Sequence, residues 1–416
     1  MPDSLLGKIV LSIPALRRTV APGASPNLIV ELPSFDKGGL ERVVLDTTAA
    51  LRERGFTPTV VTPGRVGHLA RFAEDAGIGV ATLPEKYRLF AYAALIRRKK
   101  PIVAFSHFSD VGYRLFAQAG IPNVTVIHNV YAFLDDQQKQ AMRRQARFVQ
   151  RYVAVSRKVA AYAAQNIGLP AARISVIPNG LDTGEHEERE RRPIRLTRAD
   201  LGLAGNDYVF VHPASYNPHK GHHLIVSAMA RIRKTRPDIK VICVGNTIDK
   251  TYERDLRLRI GDLGLEKHVL LPGYLPDIED PMRIADACLM PSFIEGWSIA
   301  MLEAMFYAKP LLFTDTGGAG EVIEHDDIGL LLPTEYPDFL RLDQRQLGEM
   351  VLATRDYRLT EPLATAMLEF AENRAKWTEA GRRGRRKLYE RYALARTVRG
   401  YETLINDLAP GSARPI

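Results

Sequence analysis

The chain is 416 residues long, enough for two domains of ordinary size, and its 46% hydrophobic and 25% charged residues describe a water-soluble globular protein. No apolar run approaches the ~20 residues that a membrane-spanning helix needs, and the short run over residues 5–13 contains Lys8 and lacks a cleavage site, which speaks against a signal peptide. The formal charge of +9 is uneven: residues 1–182 hold 24 Lys and Arg against 13 Asp and Glu (+11), and the rest 33 against 35 (−2), which with no zinc-finger spacing, aromatic RNA-binding pattern or long basic arm argues against nucleic acid and leaves an anionic membrane or plain solubility.

In chain order, residues 1–25 precede the first convincing strand. Leu5, Leu6, Ile9 and Ile13 make one apolar face, which reads as an arm packed on the first domain or as a membrane-contact helix. A strand over 28–32 leads to Gly38 and Gly39, after which Leu40, Val43, Val44, Thr47, Ala50 and Leu51 recur at helical spacing up to Gly55. A glycine pair at such a turn lets backbone N–H groups approach a phosphate, though alone it is a common feature. Further strands are expected over 59–62, 102–105 and 124–128, with the basic run Arg97-Arg98-Lys99-Lys100 before the second and His128 ending the third. A lone histidine there is ordinarily a satisfied structural side chain. Residues 135–151, with Met142, Arg143, Arg144, Arg147, Phe148 and Arg151, read as one amphipathic basic helix suited to an anionic membrane surface. A strand over 152–156 and the segment ISVIPNGLD at 174–182 close the first half, and the mixed charges of 185–195 read as a solvated linker.

The second half opens on a strand over 208–212 and the segment Ala214-Ser215-Tyr216-Asn217-Pro218-His219-Lys220-Gly221. A strand over 240–245, a helix over 252–263 and a strand over 269–272 follow, then the turn Gly273-Tyr274-Leu275-Pro276. Cys243 and Cys288 lie in apolar strand-like runs with no metal spacing, as expected of small buried hydrophobes in a reducing, cytoplasmic setting. Residues 287–323 are the most informative: a buried strand end at Pro291, a polar loop, a helix from an N-cap at Ser298 to about Tyr307, a second strand over 311–314 and a glycine turn at Gly317, Gly318 and Gly320. This is a parallel-sheet unit whose loop stands where such sheets bind ligands. The loop and helix carry Glu295 and Glu303; on one helix they would stand roughly 12 Å apart, too far for the paired carboxylates of a glycoside hydrolase. One long ligand touched at two places fits better, with an anion between them at the first free N–H groups of the helix. Two ordinary surface glutamates are the plainer alternative.

Pro291-Ser292, Glu295-Gly296, Leu302-Glu303-Ala304-Met305, Lys309-Pro310, Gly317-Gly318 and Glu321-Val322-Ile323 together resemble the signature of retaining glycosyltransferases of family 4. The resemblance covers about residues 27–410. It implies an α/β GT-B fold: two facing Rossmann-like domains with parallel sheets, over 1–184 (1–25 an extension) and 196–390, and a C-terminal helix over 391–416 crossing back to the first domain. It implies a nucleotide-sugar donor as substrate, UDP- or GDP-linked, and no cofactor. Carried over position by position, Glu295 meets the donor sugar, Glu303 the ribose and Leu275 the base. Gly296, Trp297 and Ser298 offer backbone groups, as Gly38 and Gly39 do from the first domain. His128, in Val126-Ile127-His128-Asn129, meets the sugar or phosphate, and Lys220 binds the diphosphate. Where the family has an arginine that shares the diphosphate, this chain has Ser215, which removes a fixed charge and a bidentate contact. No Asp-x-Asp occurs, so a carboxylate-bound metal has no evident ligands. The expected activity is metal-independent retaining transfer to a glycan acceptor, such as a lipid-linked polysaccharide or lipopolysaccharide intermediate, at the cytoplasmic face of a membrane. A sugar-nucleotide epimerase and a non-catalytic nucleotide-sugar-binding protein remain as alternatives.

Overall fold

The computed structural model describes residues 25–36, 38–64, 66–325, 327–353 and 356–409, so the proposed N-terminal arm lies outside the described residues. Its short central strands are mostly apolar because they are covered on both faces, as in other parallel sheets flanked by helices. The first sheet comprises β1 (Asn27–Glu31), β2 (Thr57–Thr62), β3 (Gly79–Thr82), β4 (Val103–His107), β5 (Asn123–Ile127), β6 (Arg151–Ala154) and β7 (Ile174–Val176). The second comprises β8 (Tyr208–Pro213), β9 (Ile239–Val244), β10 (Val269–Gly273), β11 (Ala287–Met290), β12 (Leu311–Thr314) and β13 (Gly329–Leu332). Both are wholly parallel, in the orders β3-β2-β1-β4-β5-β6-β7 and β10-β9-β8-β11-β12-β13. The order reverses between β1 and β4 and between β8 and β11, and a parallel sheet opens a crevice at the carboxyl ends of such a strand pair. Those ends carry Glu31 and His107 in one sheet, and the segments beginning at Ala214 and Pro291 in the other.

Two expectations need correction. The basic helix expected over 135–151 ends at Gln145; a 3₁₀ turn follows at Ala146–Phe148, and Arg151 already belongs to β6. The chain turns there because Gln150 pairs with Asn123: its N–H donates to the Asn123 carbonyl (2.9 Å), and its side-chain oxygen accepts from the Asn123 N–H (2.7 Å). The charge run expected as a linker is instead the helix Thr183–Glu190, capped by Asp182, whose carboxylate accepts from the Glu185 N–H (3.1 Å). Its charges are absorbed by partners distant in sequence: Arg42 pairs with Glu185, and Arg189 with Glu279 (2.9 Å).

The last described helix, Leu394–Leu408, buries Val398, Tyr401, Leu404 and Ile405 in the core of the first sheet, together with Leu28, Val44 and Leu51. The polypeptide therefore passes between the sheets twice, at about residue 182 and about residue 392. The two passages are stitched side by side: the Leu181 N–H donates to the Tyr392 carbonyl (2.9 Å) and the Leu394 N–H to the Leu181 carbonyl (2.8 Å). Gly180 makes this approach possible, since a Cβ there would lie 2.7 Å from the Leu394 Cα and 2.8 Å from the Thr397 hydroxyl. Gly180→Ala should accordingly lower the thermal unfolding midpoint, with a cost of about 1–3 kcal/mol from overpacking. Circular dichroism melts of the two proteins check this; equal midpoints would mean that the joint has room to spare.

Candidate active site

On the second domain, β8 runs into Tyr216, buried, whose hydroxyl donates to the Cys243 carbonyl (2.8 Å) and accepts from the Gly273 N–H (3.1 Å). Asn217 caps the 3₁₀ turn Pro218–Lys220, accepting from the His219 N–H at 2.9 Å. Gly221 follows in the left-handed region (φ +77°), hard against the Pro291 carbonyl, where a side chain would not fit. This sharp turn directs Lys220 at the loop after β11. Its ammonium lies 2.5 Å from Glu295 Oε1, to which the Ser292 hydroxyl also donates (3.3 Å). Two of the sequence-expected residues, Lys220 and Glu295, are thus in direct contact.

Ser298 caps the helix Ile299–Phe306 as expected, accepting from the Met301 N–H at 3.3 Å. The loop before it is packed without slack. A Cβ on Gly296 would overlap the His128 carbonyl oxygen, and one on Gly318 would overlap the Trp297 ring. Gly317 sits directly behind Glu295 and Gly296. Ser215, where the family's arginine would stand, is half-buried and abuts Gly245 through its backbone. Leu275 is half-buried behind the exposed Tyr274.

Glu303 lies in a different environment from Glu295. Desolvation pushes its carboxyl up to about 7, opposed first by Arg189 and reinforced by Glu279. The surrounding charges bridge both domains: Arg42 to Asp46 (2.8 Å) and to Glu185, and Arg189 to Glu185 (2.6 Å) and to Glu279. The helix thus separates the two glutamates into two settings, one beside Lys220 and the other beside this interdomain cluster.

From the first domain come Gly38, Gly39 and His128. Gly39 opens the helix Gly39–Glu53 and has open space beside it, whereas the carboxylate of Glu41 lies over Gly38. The glycine turn is therefore open on one residue and covered by an acid on the other. His128 follows β5, and its backbone meets Gly296 across the cleft. Burial pushes its imidazole down to about 4.

Four features escaped the sequence reading: His107, Glu31, Phe108 and Lys158. His107 ends β4, and its Nδ1 lies 2.8 Å from His128 Nε2. Glu31 ends β1 fully buried, its carboxyl held above its usual range by burial, and accepts from the Ser109 hydroxyl and the Val111 N–H (3.0 Å). Phe108 is half exposed at φ +52°, an uncommon conformation for a bulky residue, with its ring edge-on to Tyr131 (5.4 Å). Lys158 crosses to Asp315 Oδ1 (2.5 Å). For Glu31 and His107 the available signal was a charged or imidazole side chain ending a mostly apolar strand, as in NLIVE and VAFSH; Phe108 and Lys158 carried none.

Lys158, Glu295, Asp315, Gly317 and Val130 line a cavity of only about 20 Å³. Ligand pockets commonly span ~300–1,000 Å³, so this space is too small for a sugar-sized ligand in the arrangement seen here. Among the described residues, no group of three or more His, Cys, Asp or Glu side chains could hold a metal ion.

Two parallel-sheet domains whose carboxyl-end crevices face one another, with Lys220 and Glu295 between them, have the architecture of a GT-B glycosyltransferase that uses a nucleotide-sugar donor. The family model for Glycosyltransferase Family 4 matches residues 37–185 and that for Glycosyl transferases group 1 matches residues 194–342. The chain belongs to glycosyltransferase family 4. The D-inositol 3-phosphate glycosyltransferase of Jonesia denitrificans is 29% identical over 210 residues, and the match spans 48% of this chain but only 47% of that relative. The UDP-Gal:alpha-D-GlcNAc-diphosphoundecaprenol alpha-1,3-galactosyltransferase of Escherichia coli is 24% identical over 61% of this chain and 68% of its own length. In fold, the crystal structure of Anabaena HepE in complex with UDP and glucose superposes with a TM-score of 0.75 at 20% identity, covering 92% of this chain and all of that one.

The seam at Gly296 gives a direct test. Gly296→Ala forces the loop away from the His128 carbonyl, and donor turnover should fall by roughly 10²-fold, the scale of a 1 Å misplacement. Small-angle X-ray scattering should show a larger radius of gyration. Unchanged turnover and dimensions would mean that the domains do not work in contact at this point.

Proposed function

We propose that the protein is a metal-independent retaining glycosyltransferase that takes a UDP-sugar and transfers the sugar to a lipid-linked glycan intermediate. The observation that carries this is the placement of Lys220 against Glu295 beside the start of Ile299–Phe306, with Glu303 farther along the same helix. The two charges neutralise one another. On donor binding Lys220 turns to the diphosphate, and Glu295 becomes free to accept from sugar hydroxyls. As the bond between the anomeric carbon and the diphosphate breaks, negative charge gathers on the leaving group. Lys220 and the free N–H groups at the helix start stabilise that charge, and with Ser215 in place of arginine Lys220 is the only cation the motif supplies. The acceptor hydroxyl attacks from the face the diphosphate leaves, and its proton passes to the departing phosphate. His128 closes on the donor from the other domain, and Glu303 accepts from the ribose hydroxyls.

UDP as the carrier is supported by the Anabaena protein, determined with UDP and glucose, and by the Escherichia coli relative, named for UDP-Gal. That relative is also named for a diphosphoundecaprenol acceptor, and the Jonesia relative for an inositol phosphate. Both acceptors carry phosphate, in keeping with the excess of basic residues in the first half. A lipid-linked acceptor further suits the exposed Arg143, Arg144 and Arg147 beside the Asp136–Gln145 helix.

A hydrolysis screen over UDP-, GDP-, ADP- and dTDP-sugars in the presence of EDTA tests the donor reading, with UDP-sugars expected to turn over. Glu303→Ala should weaken UDP binding by about 1–3 kcal/mol, whereas Glu295→Ala should leave UDP affinity nearly intact and cut turnover. As pH falls through about 7 the raised Glu303 carboxyl protonates and loses an acceptor, so UDP affinity should decline there, and Glu303→Gln should abolish that dependence. Calorimetry with the two glutamates' effects reversed would refute the assignment.

For the acceptor, flotation with liposomes is decisive. Each Lys or Arg near an anionic bilayer contributes ~1 kcal/mol, fading over a Debye length of roughly 8 Å. Binding should need anionic lipid, fall with salt and weaken when Arg143, Arg144 and Arg147 become glutamine. Equal recovery with neutral vesicles, or none with either, would remove the membrane reading and leave the acceptor unidentified.

A further inference from the structure

The structure assigns to His107 the role of a positioning residue that fixes the tautomer of His128, so that the other ring nitrogen of His128, Nδ1, meets the nucleotide sugar as a hydrogen-bond donor. This rests on the reading above in which His128 contacts the donor. The geometry comes from the sheet. Strands β4 and β5 are adjacent and parallel, with His107 opposite Val126, so that His128 stands two residues farther along the neighbouring strand. The rings stack at 5.0 Å with planes 29° apart, and His107 Nδ1 lies 2.8 Å from His128 Nε2.

A hydrogen bond between two imidazoles needs one N–H and one lone pair, so the tautomer of one ring dictates that of the other. Both rings are neutral: burial drives His107 well below the usual imidazole range with His128 adding to the effect, and burial alone brings His128 to about 4. The nearby Glu31 turns Oε1 to Ser109 and Val111. Among the described residues the two imidazole rings are joined by this one shared hydrogen bond, which couples the proton position of one ring to that of the other. If His107 Nδ1–H donates, His128 Nε2 is the acceptor and its remaining proton lies on Nδ1. The ligand that enters the cleft brings ionised phosphate oxygens, which only accept hydrogen bonds, so an N–H on Nδ1 is the group that engages them. The shared bond also polarises that N–H, since hydrogen bonds in series strengthen one another.

The test uses the full chain, labelled with nitrogen-15, and long-range proton–nitrogen correlation spectra of its histidines, with His128→Gln to assign the signals. Wild-type protein should show His128 protonated on Nδ1. His107→Phe keeps a ring in place but removes the donor, and His128 should shift to a mixture with the Nε2–H form; His107→Gln supplies an amide N–H and should restore the Nδ1–H pattern. UDP, titrated calorimetrically, should bind roughly tenfold more weakly to His107→Phe, one lost hydrogen bond's worth, and nearly normally to His107→Gln. An Nε2–H form of His128 in the wild type, or an unchanged spectrum in His107→Phe, overturns the assignment. Should His107→Phe fail to fold, the wild-type spectrum and His107→Gln still decide. Failure of UDP to bind the wild type would instead refute the donor reading, with the spectra judging the His107 role independently.

Discussion

The contact on which the site depends is between two stretches of main chain. Gly296 lies so close to the His128 carbonyl that not even a methyl group fits between them, and Gly317 backs the same loop from the other side. Close packing of this kind leaves no room for adjustment, because protein interiors transmit small displacements. It fixes where Glu295 stands relative to His128, although the two belong to different sheets. It also explains the glycines of the loop and turn as steric requirements: at Gly296, Gly317 and Gly318 a Cβ would strike backbone or the Trp297 ring.

The cleft is lined by charges, and these charges are paired. Lys220 faces Glu295, Lys158 faces Asp315, Arg42 faces Glu185 and Arg189 faces Glu279. Pairing offsets the cost of removing each group from water, which for a lone buried ion is several kcal/mol. Three of these pairs also tie one part of the molecule to another. The helix of residues 157–162 adds neutral ties, with the Tyr162 hydroxyl donating to the Leu342 carbonyl (2.6 Å) and the neighbouring Asn166 side chain to the Leu340 carbonyl (2.8 Å).

Features determined by near neighbours in the sequence were legible. The N-cap at Ser298, the stop before Pro310 and the mostly apolar strands need only local rules, and they were enough for the parallel-sheet unit carrying Glu295 and Glu303, whereas the two-domain architecture and the place of Lys220 came from the resemblance to the family motifs. Residues whose state depends on distant partners were not legible. The 185–195 run looked solvated because its charges are balanced by Arg42 and Glu279, which lie far away in sequence. The basic helix was drawn too long because nothing local announces that Gln150 will pair with Asn123. His107 was passed over because its meaning comes from a ring on the next strand, and strand adjacency is not written in either segment alone. Glu31 and Phe108 were missed for the same reason, each being explained by a loop that folds over a neighbouring strand.

The double passage of the chain between the domains has a mechanical consequence. A single connecting strand is a swivel, free to turn in any direction. Two connections lying side by side and bonded to each other at Leu181, Tyr392 and Leu394 behave as a door hinge, with one axis running through both. Any relative movement of the two domains must satisfy both connections at once, which restricts sliding and twisting and favours one way of bringing Gly296 against His128. Registration of the two half-sites is thus built into the joint and does not have to be found anew with each donor molecule.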